Sequence, residues 1–227
     1  MPRADGARRG LIGRAVALAF AAGVVLAASP ARADTHVEAS ISAFSSPTFV
    51  DRSMHVATGS DSIDMLDKND VRLVGNGTFS GGALRAVVRC DRLRIGLEEA
   101  LFVGSGFDVR SGALPSGFSA TNGSIWGGRF ELSIGRDLVA EDAPTDAITP
   151  YVDLRLGLSL VTTNLQLHSA QWGGLGDSSY GIVAPFFAPR LGVRVPLGEA
   201  GFLDLNGSYA IFGLERATLG AGLGVQL

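Results

Sequence analysis

Residues 217–227 read A-T-L-G-A-G-L-G-V-Q-L. Ala217, Leu219, Ala221, Leu223, Val225 and Leu227 fall on one side of an extended chain. Thr218, Gly220, Gly222, Gly224 and Gln226 fall on the other. Side chains alternate with a period of two along a strand, so one face is wholly aliphatic and the other is tiny or polar. A soluble sandwich would bury the aliphatic face and turn a stripe of glycines to water, an odd use of surface. In a narrow barrel, inward glycines make room for long side chains from other strands.

The same alternation recurs upstream. Residues 151–160 set Val152, Leu154, Leu156, Leu158 and Leu160 against Tyr151, Asp153, Arg155, Gly157 and Ser159. Residues 129–135 set Phe130, Leu132 and Ile134 against Arg129, Glu131, Ser133 and Gly135. Leu191, Val193 and Val195 oppose Arg190, Gly192 and Arg194, and Leu203 and Leu205 oppose Phe202, Asp204 and Asn206. The pair 83–90 and 92–103 carries Arg85, Arg89, Arg94 and Glu98 on its polar face, and 35–44 carries His36, Glu38, Ser40 and Ser42. Eight strands follow: 35–44, 76–90, 92–103, 124–136, 149–162, 185–196, 201–212 and 216–227.

The connecting segments are 45–75, 91, 104–123, 137–148, 163–184, 197–200 and 213–215. Long and short segments alternate through the first three hairpins, as in barrels with long external loops and short periplasmic turns. The pattern predicts an all-β chain: a closed up-and-down antiparallel transmembrane β-barrel of eight strands, with surface contacts made by loops 45–75, 104–123 and 163–184. Segment 137–148 is long for the periplasmic side, and the last external turn is short.

The first 33 residues have a separate role. Arg3, Arg8, Arg9 and Arg14 precede a small, apolar run from Ala15 to Ala28, and Ala31-Arg32-Ala33 supplies an A-x-A site. This is the layout of a cleaved secretory signal peptide with Asp34 as the mature N-terminus. The barrel domain is then 34–227. Five arginines and one aspartate leave with the signal, so 14 basic and 21 acidic residues remain, a net charge of −7. That balance excludes a polybasic nucleic-acid surface. No later segment is apolar for ~18 residues in a row, which excludes a helical membrane span.

Three stretches together resemble the eight-stranded outer-membrane barrels of the OmpA/OmpX and opacity-protein type. They are Gly81-Gly82-Ala83-Leu84-Arg85 with Arg92-Leu93-Arg94-Ile95-Gly96-Leu97-Glu98, then Pro150-Tyr151-Val152-Asp153-Leu154-Arg155-Leu156-Gly157-Leu158, and the C-terminal strand. The resemblance implies residence in the bacterial outer membrane. It also implies contact with its lipid and lipopolysaccharide, and insertion by the barrel assembly machinery. One departure stands out: such barrels end in Phe or Trp, whereas this chain ends in Leu227.

Parity points twelve charged residues into the barrel: Glu38, Arg85, Arg89, Arg94, Glu98, Arg129, Glu131, Asp153, Arg155, Arg190, Arg194 and Asp204. Charges in so narrow a space must pair. An eight-stranded interior is just wide enough for side chains to fill, so a plugged lumen is expected. Glu99 breaks the pattern, since the parity of Leu97 and Leu101 would turn it to lipid; a bulge between Glu98 and Glu99 would remove the conflict. Phe44, Phe102 and Phe212 near outer strand ends, and Tyr151 and Phe202 near inner ends, are candidates for interfacial girdles.

Chemistry beyond this is sparse. Asp61, Asp64, Asp67 and Asp70 make an acidic loop whose spacing does not match an EF-hand. His168-Ser169 invites comparison with lipid A deacylases, but the Asn of those enzymes is absent and adjacent strand residues face opposite ways. No catalytic residue, metal site or cofactor is expected. The single Cys90 cannot form an internal disulfide. The leading reading is a non-enzymatic outer-membrane barrel with structural or contact roles. Two alternatives are a small outer-membrane pore, and an exported soluble barrel holding an apolar ligand with the leucines inside. The direction faced by the leucines of 152–160 separates the last from the others.

Overall fold

The computed structural model describes residues 35–58, 71–110, 118–139, 147–171 and 173–227. Residues 1–33, expected to be a signal segment, and the stretch with Asp61, Asp64, Asp67 and Asp70 lie outside the described residues. Ten strands are present among those described. They are β1 (Thr35–Ser53), β2 (His55–Thr58), β3 (Arg72–Cys90), β4 (Leu93–Ser105), β5 (Asp108–Arg110), β6 (Phe118–Asp137), β7 (Thr149–Ser169), β8 (Gly173–Leu197), β9 (Gly201–Tyr209) and β10 (Ala217–Gln226). β2 and β5 are short additions.

Eight of them close a ring, each antiparallel to its neighbours: β1, β3, β4, β6, β7, β8, β9, β10 and back to β1. The closing seam pairs Glu38 with Gln226 through Ser45 with Leu219. Closure leaves no open sheet edge along this seam, which is what lets a sheet stand in lipid. The turn at Cys90-Asp91-Arg92 is tight enough to hold Asp91 at φ 54°, a conformation that Asp tolerates better than most residues.

The leucines of β7 face outward: Leu154, Leu156, Leu158 and Leu160 are 42–56 % exposed. This rules out the soluble barrel with an apolar interior along these residues. The glycines of β10 face inward, and they are filled from next door. A Cβ on Gly224 would overlap the Phe202 ring, one on Gly192 the Tyr151 ring, and one on Gly127 the Phe102 ring. These three glycines give up their side-chain volume to aromatic rings on neighbouring strands, whereas Gly220 makes room for Asn206 and Gly222 for Ser42.

Several strands are longer than their sequence pattern suggests. β1 reaches Ser53, and β7 and β8 run to Ser169 and Gly173. Most of 163–184 is therefore hairpin, not loop, and β1 and β3 take up much of 45–75. The reason is a change of surroundings along each strand. Up to Leu160, β7 is aliphatic outside and polar inside. Beyond it, Val161 and Leu165 are buried inside while Asn164 and Gln166 are exposed outside. The apolar side switches face, so a search for one continuous stripe stops at the switch.

The β9–β10 hairpin is short, and the wall above it is completed differently. β2 pairs with β8, His55 opposite Gly181, and so bridges over the hairpin. The turn 210–216 fills the space beneath. Ile211 N–H donates to Phe187 O at 2.9 Å, Phe187 N–H to Phe212 O at 3.3 Å, and Thr48 Oγ1 to Leu214 O at 2.9 Å.

Candidate functional site

The interior has two zones. Nearest the chain termini, the twelve charged residues singled out by parity all turn inward, eleven of them buried and Arg89 partly so. They form one connected network. Arg194 pairs with Glu38 (2.6 Å) and Glu38 with Arg89 (3.3 Å). Arg89 and Arg94 share Asp137, Arg94 at 2.9 Å. Arg94 also meets Asp153 (3.4 Å), which Arg85 and Arg190 approach at 2.5 and 3.2 Å. Arg190 reaches Glu98 at 2.8 Å, and Arg85 reaches Asp204 at 3.3 Å. Glu131, fully buried, accepts from Arg155 Nε and Nη2, one on each carboxylate oxygen, and meets Arg129 at 3.1 Å.

Two carboxylates absent from the sequence reading complete it. Asp137 is buried at the end of β6, and Glu215, in the β9–β10 turn, folds inward to Arg129 at 2.5 Å. Among the described residues the network therefore holds seven guanidiniums and seven carboxylates. It is neutral in sum, the condition under which so many charges can share a confined volume. Tyr151 adds a hydroxyl that donates to Asp204 at 2.7 Å and a ring lying 4.0 Å from the Arg94 guanidinium. Phe202 lies beneath Arg194 at 4.9 Å. These are cation–π contacts of the stronger, desolvated sort. An interior gap lined by Ser40, Ser42, Arg85, Glu98 and Asp204 measures only about 10 Å³, close to the least that would hold one water.

Beyond Arg129 the interior becomes apolar. The Phe44 ring sits 4.8 Å from that guanidinium and marks the border. Above it Phe79, Phe102 and Phe107 stack edge and face, with centroids 4.7–5.2 Å apart. Leu73, Val161, Leu165, Ile182 and Leu214 fill the space around them. The plug uses strand residues from β1, β3, β4, β5, β6, β7 and β8, together with Met54, Val71, Phe107 and Leu214 from connecting segments.

No family model and no curated protein matches the chain. Solved structures do. The outer membrane protein OprG from Pseudomonas aeruginosa aligns over 86 % of this chain and 97 % of its own, at 11 % identity and a TM-score of 0.54. The fold is that of a small outer-membrane β-barrel. Neisserial surface protein A aligns over the same 86 % and over 97 % of its own chain, at 14 % identity and a TM-score of 0.48. Ail, the attachment invasion locus protein of Yersinia pestis, covers 84 % at 12 % identity, with 98 % of its own chain and a TM-score of 0.42.

Against that fold, two sequence expectations need correction. There is no bulge at Glu99. The ladder runs without a shift, Leu84 opposite Glu99 and Arg85 opposite Glu98, and Glu99 faces outward among the leucines. The girdle residues also differ. Phe44, Phe102, Tyr151 and Phe202 are buried inside, because their parity follows the polar stripe; Phe212 is exposed. The exposed outward aromatic side chains include Phe49, Trp126, Phe130 and Tyr209. His168 and Ser169 share no site: Ser169 is buried, His168 partly exposed on the other face, and the Ser169 hydroxyl accepts from Gln171 N–H.

Proposed function

We propose that the protein is a non-enzymatic integral barrel of the bacterial outer membrane, acting in membrane structure and surface contact and not as a pore. The observation that carries this is the filled interior: a neutral charge network followed by an aromatic plug. A conduit needs a continuous wet path. Here the charges neutralise one another, and in the aromatic zone apolar side chains leave water only scattered hydroxyls, such as those of Thr163 and Tyr180. The outward belt of leucines is the surface that suits lipid and lipopolysaccharide.

In this reading residues 1–33 direct export and are removed, and the barrel assembly machinery inserts the rest. The terminal end then faces the periplasm. The far end stands above the membrane, with its apolar side turned inward as in a water-soluble protein. Contacts with other molecules fall to its hairpin tips and connecting loops. The experiment is membrane fractionation with gel electrophoresis of unheated and boiled samples. The protein should fractionate with the outer membrane, lack residues 1–33, and migrate differently before boiling. Recovery in the soluble periplasm would overturn the reading.

A further inference from the structure

Glu99 is the one outward carboxylate within the aliphatic belt of β4. Its outward neighbours are Leu93, Ile95 and Leu97 toward the termini and Leu101 and Val103 toward the far end. With ~3.3 Å per residue and a tilt of ~40°, it sits about 10 Å below Val103 and about 15 Å above Leu93. No described residue gives it a hydrogen bond or an ion pair. Lipid tails offer no donor, and a bare carboxylate at this depth is expensive.

The surface around it is hollow. A groove of about 390 Å³ runs across β10, β1, β3, β4 and β6, with Ala39 and Ala86 on its floor and Ile41, Leu84, Leu97 and Phe130 rising beside it. Elsewhere the belt is bulky: β7 presents four consecutive outward leucines. Close approach between membrane-spanning elements is favoured where side chains are small. The groove thus supplies the packing, and Glu99 sets the requirement that whatever enters must bring a hydrogen-bonding group to one fixed depth.

We propose that this groove is the interface of a symmetric dimer of the chain, in which the two Glu99 carboxyls meet and hydrogen-bond to each other. Two copies in one membrane have the same orientation. A two-fold axis along the membrane normal therefore places the partner's Glu99 at the same depth with no further coincidence. Two carboxyls in contact do not both stay ionised; one keeps its proton and becomes the donor that lipid cannot supply. Tilted strands on facing barrels cross, so the ridge bearing Leu84 and Phe130 on one copy enters the groove of the other. Isologous pairing of this kind is the commonest form of assembly.

Cys90 provides the probe. It is the chain's single cysteine, exposed at the terminal end of β3 on the same outward row as Leu84 and Ala86. The full-length mature barrel, nitroxide-labelled there and reconstituted in phospholipid vesicles over a range of protein-to-lipid ratios, is read by pulsed dipolar spectroscopy. A discrete intermolecular distance should grow in as the ratio rises. Glu99→Gln, which keeps a donor and an acceptor, should associate within about twofold of the native protein. Glu99→Leu should weaken association about tenfold, the size of one hydrogen bond between membrane-spanning elements. Ala86→Leu, which fills the floor, should weaken it at least as much. The heat-dependent gel shift confirms that each variant is folded. A featureless distance distribution for the native protein at every ratio means that lipid covers the groove and overturns the proposal. A discrete distance that survives both Glu99→Leu and Ala86→Leu places the interface elsewhere and overturns it too.

Discussion

The two halves of the barrel are built from the same strands with opposite sidedness. In β7 the terminal half has Leu154, Leu156, Leu158 and Leu160 outside and Asp153, Arg155 and Ser159 inside. In the far half Val161 and Leu165 are inside, and Asn164 and Gln166 are outside. The fold is continuous through the change; only the solvent beyond the wall differs. Where lipid surrounds the sheet, apolar side chains go out, and the polar ones collect inside and must neutralise one another. Where water surrounds it, the ordinary hydrophobic effect applies and the core turns apolar. The switch at Leu160–Val161 therefore marks where the membrane ends on this strand.

The comparison can be broken at each half. The largest effect is expected from Glu131→Leu. Glu131 accepts from Arg155 and pairs with Arg129 and Arg190. Its loss takes the bidentate partner from Arg155 and one contact each from Arg129 and Arg190, and leaves seven guanidiniums facing six carboxylates; breaking a buried network typically costs about 3–5 kcal/mol. The urea midpoint of the gel-shift transition should fall accordingly, with the high end of that range expected here. Phe79→Ala in the far half should cost about 3 kcal/mol as a cavity. Its signature differs: amide exchange should quicken in β3, β4 and β6 beyond Arg129 while the terminal half stays protected.

The next test compares two outward positions on one strand. Leu158→Arg puts a charge into lipid and should cost about 2–4 kcal/mol. Gln166→Arg, eight residues on and also outward, should change stability by no more than about 0.5 kcal/mol. Equal costs at the two sites would remove the membrane boundary from this strand. The smallest effect belongs to Arg72, paired with Asp51 at 2.8 Å with both side chains about half exposed in the far half. Arg72→Ala should cost below about 1 kcal/mol, in contrast to any arginine of the lower network.

Much of this was legible from residues alone. Alternation over 151–160 and 217–227 was enough for the barrel, because lipid outside enforces a strict period of two. The inward set of charges followed from the same parity. Asp137 escaped because the expected strand stopped at 136, one residue short, although the inward row of Arg129, Glu131, Ser133 and Gly135 continues to it; Glu215 lies in a turn, where parity gives no direction. A signal was nonetheless present: seven inward arginines against five carboxylates leave two positive charges uncompensated, and a sealed lumen cannot hold that excess. The aromatic plug escaped for another reason. Phe79, Phe102 and Leu165 lie inward, on the face that is polar lower in the same strands, so they break the stripe instead of extending it. Glu99 was visible as an anomaly, and the bulge that would have removed it is absent.

The central claim is that the lumen is sealed twice, by a neutral charge network and by an aromatic plug. Planar-bilayer recording of the purified, folded barrel tests it most directly. The structure leads us to expect insertion without a steady conductance step, at low and at high salt alike. A stable, ohmic step of uniform size for the native protein would contradict it.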